Sequence, residues 1–399
     1  MTFSQETKKE NYFLSQPHQP FFILGVINAV IMMLIFALSY KGILTLQTES
    51  AYFHVYSLTF IVFTNVFTGF LFTTFARFTQ AEVISKKYYT NIFYYSLIGS
   101  LLFLVGSFIN HIVLLLGMAI LFLAQVFTVL KLQEIYLNGN AVDKKDAFWI
   151  LIAQYFGLLG HILFIELELN HYIGHDVNLL NVAVNISFYM YLIFLAFSVA
   201  IRMIPFFSHS FAVKNENFVK IIFVLFILKS ILSAVDFKIA EIVIDLLLGT
   251  YMILEFRRWE LNPFNSPAIL WVLHLALFWL PAAFLLSALS LTTELFLGTS
   301  FYFLNIHLLA IGFLTTLLIG FGTRVTLGHS GQPPHADKLA VNIFWFIQVV
   351  VVLRALFSIN VAFGWGLNFL FDISFTAWLI LFLVWGIRYG KVLVFGSKL

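Results

Sequence analysis

Residues 21–40 read FFILGVINAVIMMLIFALSY, twenty positions without one charged side chain. A helix of about 20 apolar residues crosses the hydrocarbon core of a bilayer. The stretch follows a polar segment and shows no small-residue cleavage site, so it reads as a retained first span rather than a cleaved signal. About twelve such runs follow one another, near 21–40, 54–76, 91–109, 111–131, 147–168, 179–204, 218–235, 239–256, 267–290, 301–326, 339–358 and 367–389. Only the Asn110-His111 region separates the third run from the fourth.

Composition agrees. Hydrophobic residues make up 61% of the 399, and charged residues 10%. A soluble domain is about 25% charged, so this chain could not cover a wetted surface. The expectation is an all-α, polytopic integral membrane protein of about twelve transmembrane helices. It forms one multi-pass domain over 1–399: a cytoplasmic segment at 1–20, a bundle at 21–389 and a cytoplasmic tail at 390–399.

The basic residues set the orientation. With the N-terminus inside, the inner segments hold all of the 22 Lys and Arg except Lys41, Lys229, Lys238 and Arg354, beginning with Lys8 and Lys9. Excess Lys and Arg marks cytoplasmic loops, so both termini are expected in the cytoplasm. The net charge of +3 gives no argument for nucleic acid.

There is no Cys. That excludes disulfides, thiolate metal sites, iron–sulfur clusters and covalent c-type haem. Any metal must rely on His, carboxylates, Met or backbone, and 11 His dominate the polar inventory. His54 opens the second run, and His307 lies near the start of the tenth. These runs point the same way, so both imidazoles fall at similar depth in the outer leaflet. Two neutral imidazoles at one level could clamp a metal or a haem iron; a hydrogen bond between packed helices is the plainer use. His171 and His175 stand at i, i+4, with His161 one to two turns below and Glu166 and Glu168 just before them, a candidate metal-entry site at the outer face. The plainer reading of that stretch is a solvated loop.

Other charges suggest pairs. Arg354 near the end of the eleventh run and Asp372 at the start of the twelfth suggest a salt bridge. Glu241 and Asp245 share a helix face near Lys229, either to neutralise it or to carry protons. Arg202, before Met-Ile-Pro-Phe-Phe, and Arg324 with His329 lie at inner helix ends, where an Arg can meet a haem propionate or a lipid phosphate. TTFARFT at 73–79 faintly echoes GFGTRVT at 320–326.

The run IHLLAIGFLTTLLIGFGTRVTLGHSGQ (306–332) resembles the most distinctive stretch of the NnrS family, bacterial membrane proteins associated with the response to nitric oxide. RMIPFF (202–207), PHQPFFILGVINA (17–29) and HVYSLTFIVFTNVFTGFLFTTFARFT (54–79) resemble other family segments in the same order. The departures mark a divergent member. The family's second helix begins His-x-His-Glu, where this chain has His54-Val55-Tyr56-Ser57. The resemblance implies haem (haem b, without a covalent tether) and copper, with His54 and His307 as the first candidates for axial ligands. It implies a bacterial inner membrane location and a role in nitric oxide or nitrosative stress. It carries over His329 as a motif residue, and it leaves enzymatic turnover open.

Two other function classes compete. A secondary transporter suits twelve spans, but transporters commonly carry broken helices and repeated halves, and here Pro281 is the clearest interruption. A metal- or haem-handling protein without redox turnover also fits. A haem–copper oxidase or nitric oxide reductase catalytic subunit would need a His-His doublet and a His-x-His, and the sequence has neither.

Overall fold

The computed structural model describes residues 11–175, 179–261 and 263–399; Lys8 and Lys9 lie outside the described residues. After a short 3-10 turn at Tyr12–Leu14 come twelve long helices. They are α1 (His18–Tyr40), α2 (Ser50–Thr79), α3 (Lys86–Ile109), α4 (His111–Asn138), α5 (Lys145–Tyr172), α6 (Leu180–Phe207), α7 (Phe218–Ala234), α8 (Lys238–Arg258), α9 (Ala268–Leu297), α10 (Leu304–His329), α11 (Lys338–Phe363) and α12 (Phe369–Phe395). Each coincides with one apolar run of the sequence. No strand occurs among the described residues.

Ten of the twelve are long and apolar enough to cross a membrane. The exceptions are α7 and α8. The first has 17 residues, about 26 Å at 1.5 Å each, just under the hydrocarbon thickness. The second carries Lys238, Glu241, Asp245, Glu255, Arg257 and Arg258. Asn110 divides α3 from α4 as expected: its backbone is extended, and its side chain accepts from Ile112 N–H at 2.6 Å to cap α4. The outside of the bundle is apolar, with Leu101, Leu116, Leu130, Val243, Leu289 and Ile387 all exposed. Such a surface suits lipid, and the chain is a polytopic membrane protein.

Consecutive helices alternate in direction. At one end lie Lys41–Asp372 (2.7 Å), Lys238–Glu294 (3.2 Å) and the Tyr40–Tyr302 hydroxyl pair (3.2 Å). At the other lie Arg202–Asp146 (2.9 Å), the Tyr89 hydroxyl on Leu14 O (2.8 Å) and Leu399 N–H on Gln332 (2.9 Å). The two ends of the described chain therefore share a face, with Gly396 packed against the ring of Tyr12.

Every fourth helix is built alike. In α2, α6 and α10 the hydrogen bonds widen to i→i−5 over residues 57–63, 186–193 and 308–315. Thr64 N–H reaches Thr59 O, Phe194 N–H reaches Tyr189 O, and Thr316 N–H reaches Ile311 O. Threonine hydroxyls add to the wide turns: Thr64 donates to Thr59 O and Thr315 to Ala310 O, each at 2.7 Å. Each of the three helices then carries an Arg toward its other end, namely Arg77, Arg202 and Arg324. The echo of 73–79 in 320–326 is thus one trace of a repeat of four helices. These three helices are also the centre of the bundle: 78%, 83% and 67% of their most apolar windows are buried, against 33% for α11 and 39% for α12. Wide π turns inside α-helices are rare and gather at functional sites.

Candidate functional site

The first turns of α2 and α10 bring His54 and His307 together. Their ring centres lie 6.4 Å apart, and the planes are 17° from parallel. Two metal–nitrogen bonds of about 2 Å, plus the half-width of each imidazole, separate the ring centres of two opposed histidine ligands by roughly 6 Å. His307 Nδ1–H donates to Phe303 O at 2.8 Å, which leaves the Nε2 lone pair free. His54 Nδ1 is buried without a hydrogen-bond partner, and Phe36 of α1 stacks on that ring at 4.0 Å. A metal-binding imidazole is neutral, oriented by its second nitrogen or by packing, and has one uncommitted nitrogen. Both rings meet that description.

Arg354 of α11 completes the site from the side. Its guanidinium stands close enough to both imidazoles to act on them electrostatically. The salt bridge to Asp372 expected from sequence is not formed. Asp372 pairs with Lys41 at 2.7 Å instead, because that Lys comes from the end of α1, which packs against α12. Arg354 Nη1 donates to Ser358 Oγ at 2.6 Å, and that hydroxyl donates to Tyr302 O at 2.8 Å. No carboxylate among the described residues pairs with Arg354. A half-buried guanidinium without an acidic partner suits an anionic group brought by a ligand. Tyr302 sits in the loop before α10, where burial and the adjoining Tyr40 hydroxyl push its phenol up to about 12. It is therefore a neutral donor at the mouth of the site at any physiological pH.

About two turns further along α2 and α10 lies an apolar cavity of about 30 Å³, lined by Val62, Phe63, Thr315, Ile319, Phe22 and Trp385 among others. A water-sized occupant needs about 10–15 Å³, so a diatomic molecule fits.

The other candidates from sequence lie elsewhere. His161 is buried in the centre of the bundle, with both nitrogens in use: Nδ1 pairs with Gln125 Oε1 and Nε2 with the Tyr56 hydroxyl, each at 2.8 Å. Phe60 stacks on it at 4.2 Å. Its lone pair is committed. His171 ends α5, and Gly174, with φ of +76°, turns the chain before His175. The helical i, i+4 spacing therefore does not hold, and these two do not share a helix face. His171 instead adjoins His111 (ring centres 5.5 Å apart), which binds Glu168 at 2.6 Å. Among the described residues no three His, Asp or Glu side chains gather as a metal site.

Arg202, Arg324 and His329 occupy the opposite end of the bundle. Arg202 pairs with Asp146 and lies 4.6 Å from the Phe78 ring centre; Arg324 lies 3.9 Å from that of Phe207. Arg324 is about 25 Å along α10 from His307, too far to touch one group together with it. His329 meets His18 of α1 at 4.9 Å between ring centres. His18 is buried, and its Nδ1 has no partner.

Sequence reasoning missed Arg354 and Phe36 as site residues and His18 as the companion of His329. An Arg within a span was the available signal for the first; a near acidic residue in the sequence drew it to the wrong partner. Nothing in the order of residues tells which ring of α1 covers His54.

A family model described as NnrS protein matches residues 12–395 of this chain. No curated protein matches it.

Proposed function

The chain belongs to the NnrS family, and from that premise we propose that it is a haem protein of the bacterial inner membrane that takes part in the response to nitric oxide. His54 of α2 and His307 of α10 are the residues that would hold its iron. The observation that carries this reading is the pair of near-parallel, half-buried imidazoles 6.4 Å apart. The absence of Cys makes a non-covalent haem b the fitting type.

The haem would supply the iron chemistry, nitric oxide binding included. The protein's share is orientation and charge. The Phe303 carbonyl fixes the tautomer of His307, Phe36 holds the plane of His54, and Arg354 balances an anionic substituent such as a propionate. The small apolar cavity between the same helices gives an uncharged diatomic a place within the membrane. The positive-inside rule puts Arg77, Arg202 and Arg324 at the cytoplasmic face with both termini, and the His54–His307 site at the outer face.

Copper, the second metal of the resemblance, finds no comparable donor set among the described residues. The test is the absorption spectrum of the purified protein, oxidised and dithionite-reduced, with iron and copper analysis on the same sample. Sharp reduced bands with one iron per chain are expected, and they should change on addition of nitric oxide. A colourless, iron-free protein after expression with ample haem would overturn the proposal.

A further inference from the structure

A second concentration of buried charge lies between α6, α7, α8 and α9, independent of whatever His54 and His307 hold. Lys229 of α7 donates to Glu241 Oε1 at 2.6 Å and to Asp245 Oδ2 at 2.7 Å, both on α8. The three side chains are 1%, 5% and 0% exposed. Tyr189, in the wide turn of α6, presents its ring 5.6 Å from the ammonium. Ser287 of α9 adjoins the Asp245 carboxyl. Asp245 Oδ1 is buried, and the Ser287 hydroxyl is the polar group beside the carboxyl on that side.

The charges do not balance. One ammonium faces two carboxylates, and no other cation among the described residues pairs with them. Lys238, the nearest along the chain, is engaged with Glu294 at 3.2 Å and Asp236 at 3.8 Å. A buried charge that is neither solvated nor paired is neutralised rather than tolerated. The ammonium already occupies the space between the carboxylates, which leaves no seat for a metal ion. A proton needs no seat.

We propose that Lys229, Glu241 and Asp245 form a proton-binding site in which the two carboxylates share one exchangeable proton beside the ammonium. On Asp245 Oδ1 the proton makes the carboxyl a donor toward Ser287. The Ser287 hydroxyl also accepts from Asn305 Nδ2 at 3.4 Å, and Asn305 stands two residues before His307. Access is short. Glu241 lies in the first turn of α8, next to the 235–237 loop, at the same end of the bundle as His54. Protons therefore exchange with the compartment on that side. A fixed ion triad that only clamps α7 to α8 is the alternative.

The experiment is infrared spectroscopy of the full-length protein in lipid at neutral pH, compared in H2O and D2O. A deuterium-sensitive C=O stretch of a protonated carboxylic acid is expected. It should move on labelling with 13C-aspartate or 13C-glutamate, disappear in Asp245→Asn or Glu241→Gln, and persist in Asp372→Asn. The isotope shift tells whether an Asp or a Glu carries the proton, and where one of the two substitutions fails to fold the other is read in its place. A spectrum in which the band is absent, or survives both substitutions, means that both carboxylates are ionised and overturns the proposal.

Discussion

His307 holds its imidazole 6.4 Å from that of His54, with the planes 17° from parallel and its own Nδ1–H fixed on Phe303 O at 2.8 Å. One ring is oriented by the backbone one turn earlier on α10 and the other by Phe36 of a different helix, so each can be lost without disturbing the other's support.

His54→Ala and His307→Ala should therefore each abolish the sharp reduced haem bands while the protein still folds. His161→Ala should do the reverse. It leaves the Tyr56 hydroxyl and Gln125 unpaired in the core, at about 2 kcal/mol in stability, and keeps the spectrum. Absorption spectra and thermal melts on the three variants read both effects. Bands that survive in His307→Ala would remove it as a ligand.

Arg354 gives an electrostatic prediction. Its positive charge would favour the reduced form of a haem held by His54 and His307, so Arg354→Met should lower the midpoint potential by on the order of 50 mV. Arg324→Met, at the far end of α10, should leave it within error. A redox titration decides. Equal shifts in both variants would mean that Arg354 acts on the fold and not on the site.

The wide turn after His307 predicts the effect of a deletion. A π turn is equivalent to one extra residue in an α-helix. Removing Ala310 should restore regular α geometry and turn His307 about 100° relative to the rest of α10. The expected product is a folded, detergent-stable protein without bound haem. Retention of haem by that variant would show that the wide turn does not aim His307.

Close packing of α3 on α4 can be tested far from any site. A Cβ on Gly106 would lie 2.2 Å from Leu114 N, and one on Gly117 2.3 Å from Phe103 N. Backbone atoms cannot step aside, so Gly106→Ala should destabilise by about 1–3 kcal/mol. Gly328→Ala, where nothing lies within 4 Å, is the control. Matching melting temperatures for the two would contradict the tight hairpin.

Much of the fold was legible in the chain. Twelve apolar runs became twelve helices, since a backbone in lipid must satisfy its own hydrogen bonds and only a helix does so within one segment. The Asn110 break and the pairing of His54 with His307 were readable too, because depth in a bilayer follows from position along a span of known direction. The turn at Gly174 and the commitment of both His161 nitrogens were not. The first depends on how a helix ends, the second on side chains from α2 and α4.

Reading along the chain was enough to identify a helical membrane bundle, the apolar runs that become its helices and the break at Asn110. These are one-dimensional properties, set by hydropathy and charge along the chain. Which side chains meet around each helix came from the three-dimensional packing. It gave Asp372 to Lys41 and not to Arg354, left Arg354 without an acidic partner beside two neutral rings, and exposed the fourfold-spaced wide turns of α2, α6 and α10. Rotation about a helix axis is fixed by packing against neighbours distant in sequence, and a uniformly apolar span carries almost no periodic signal for it.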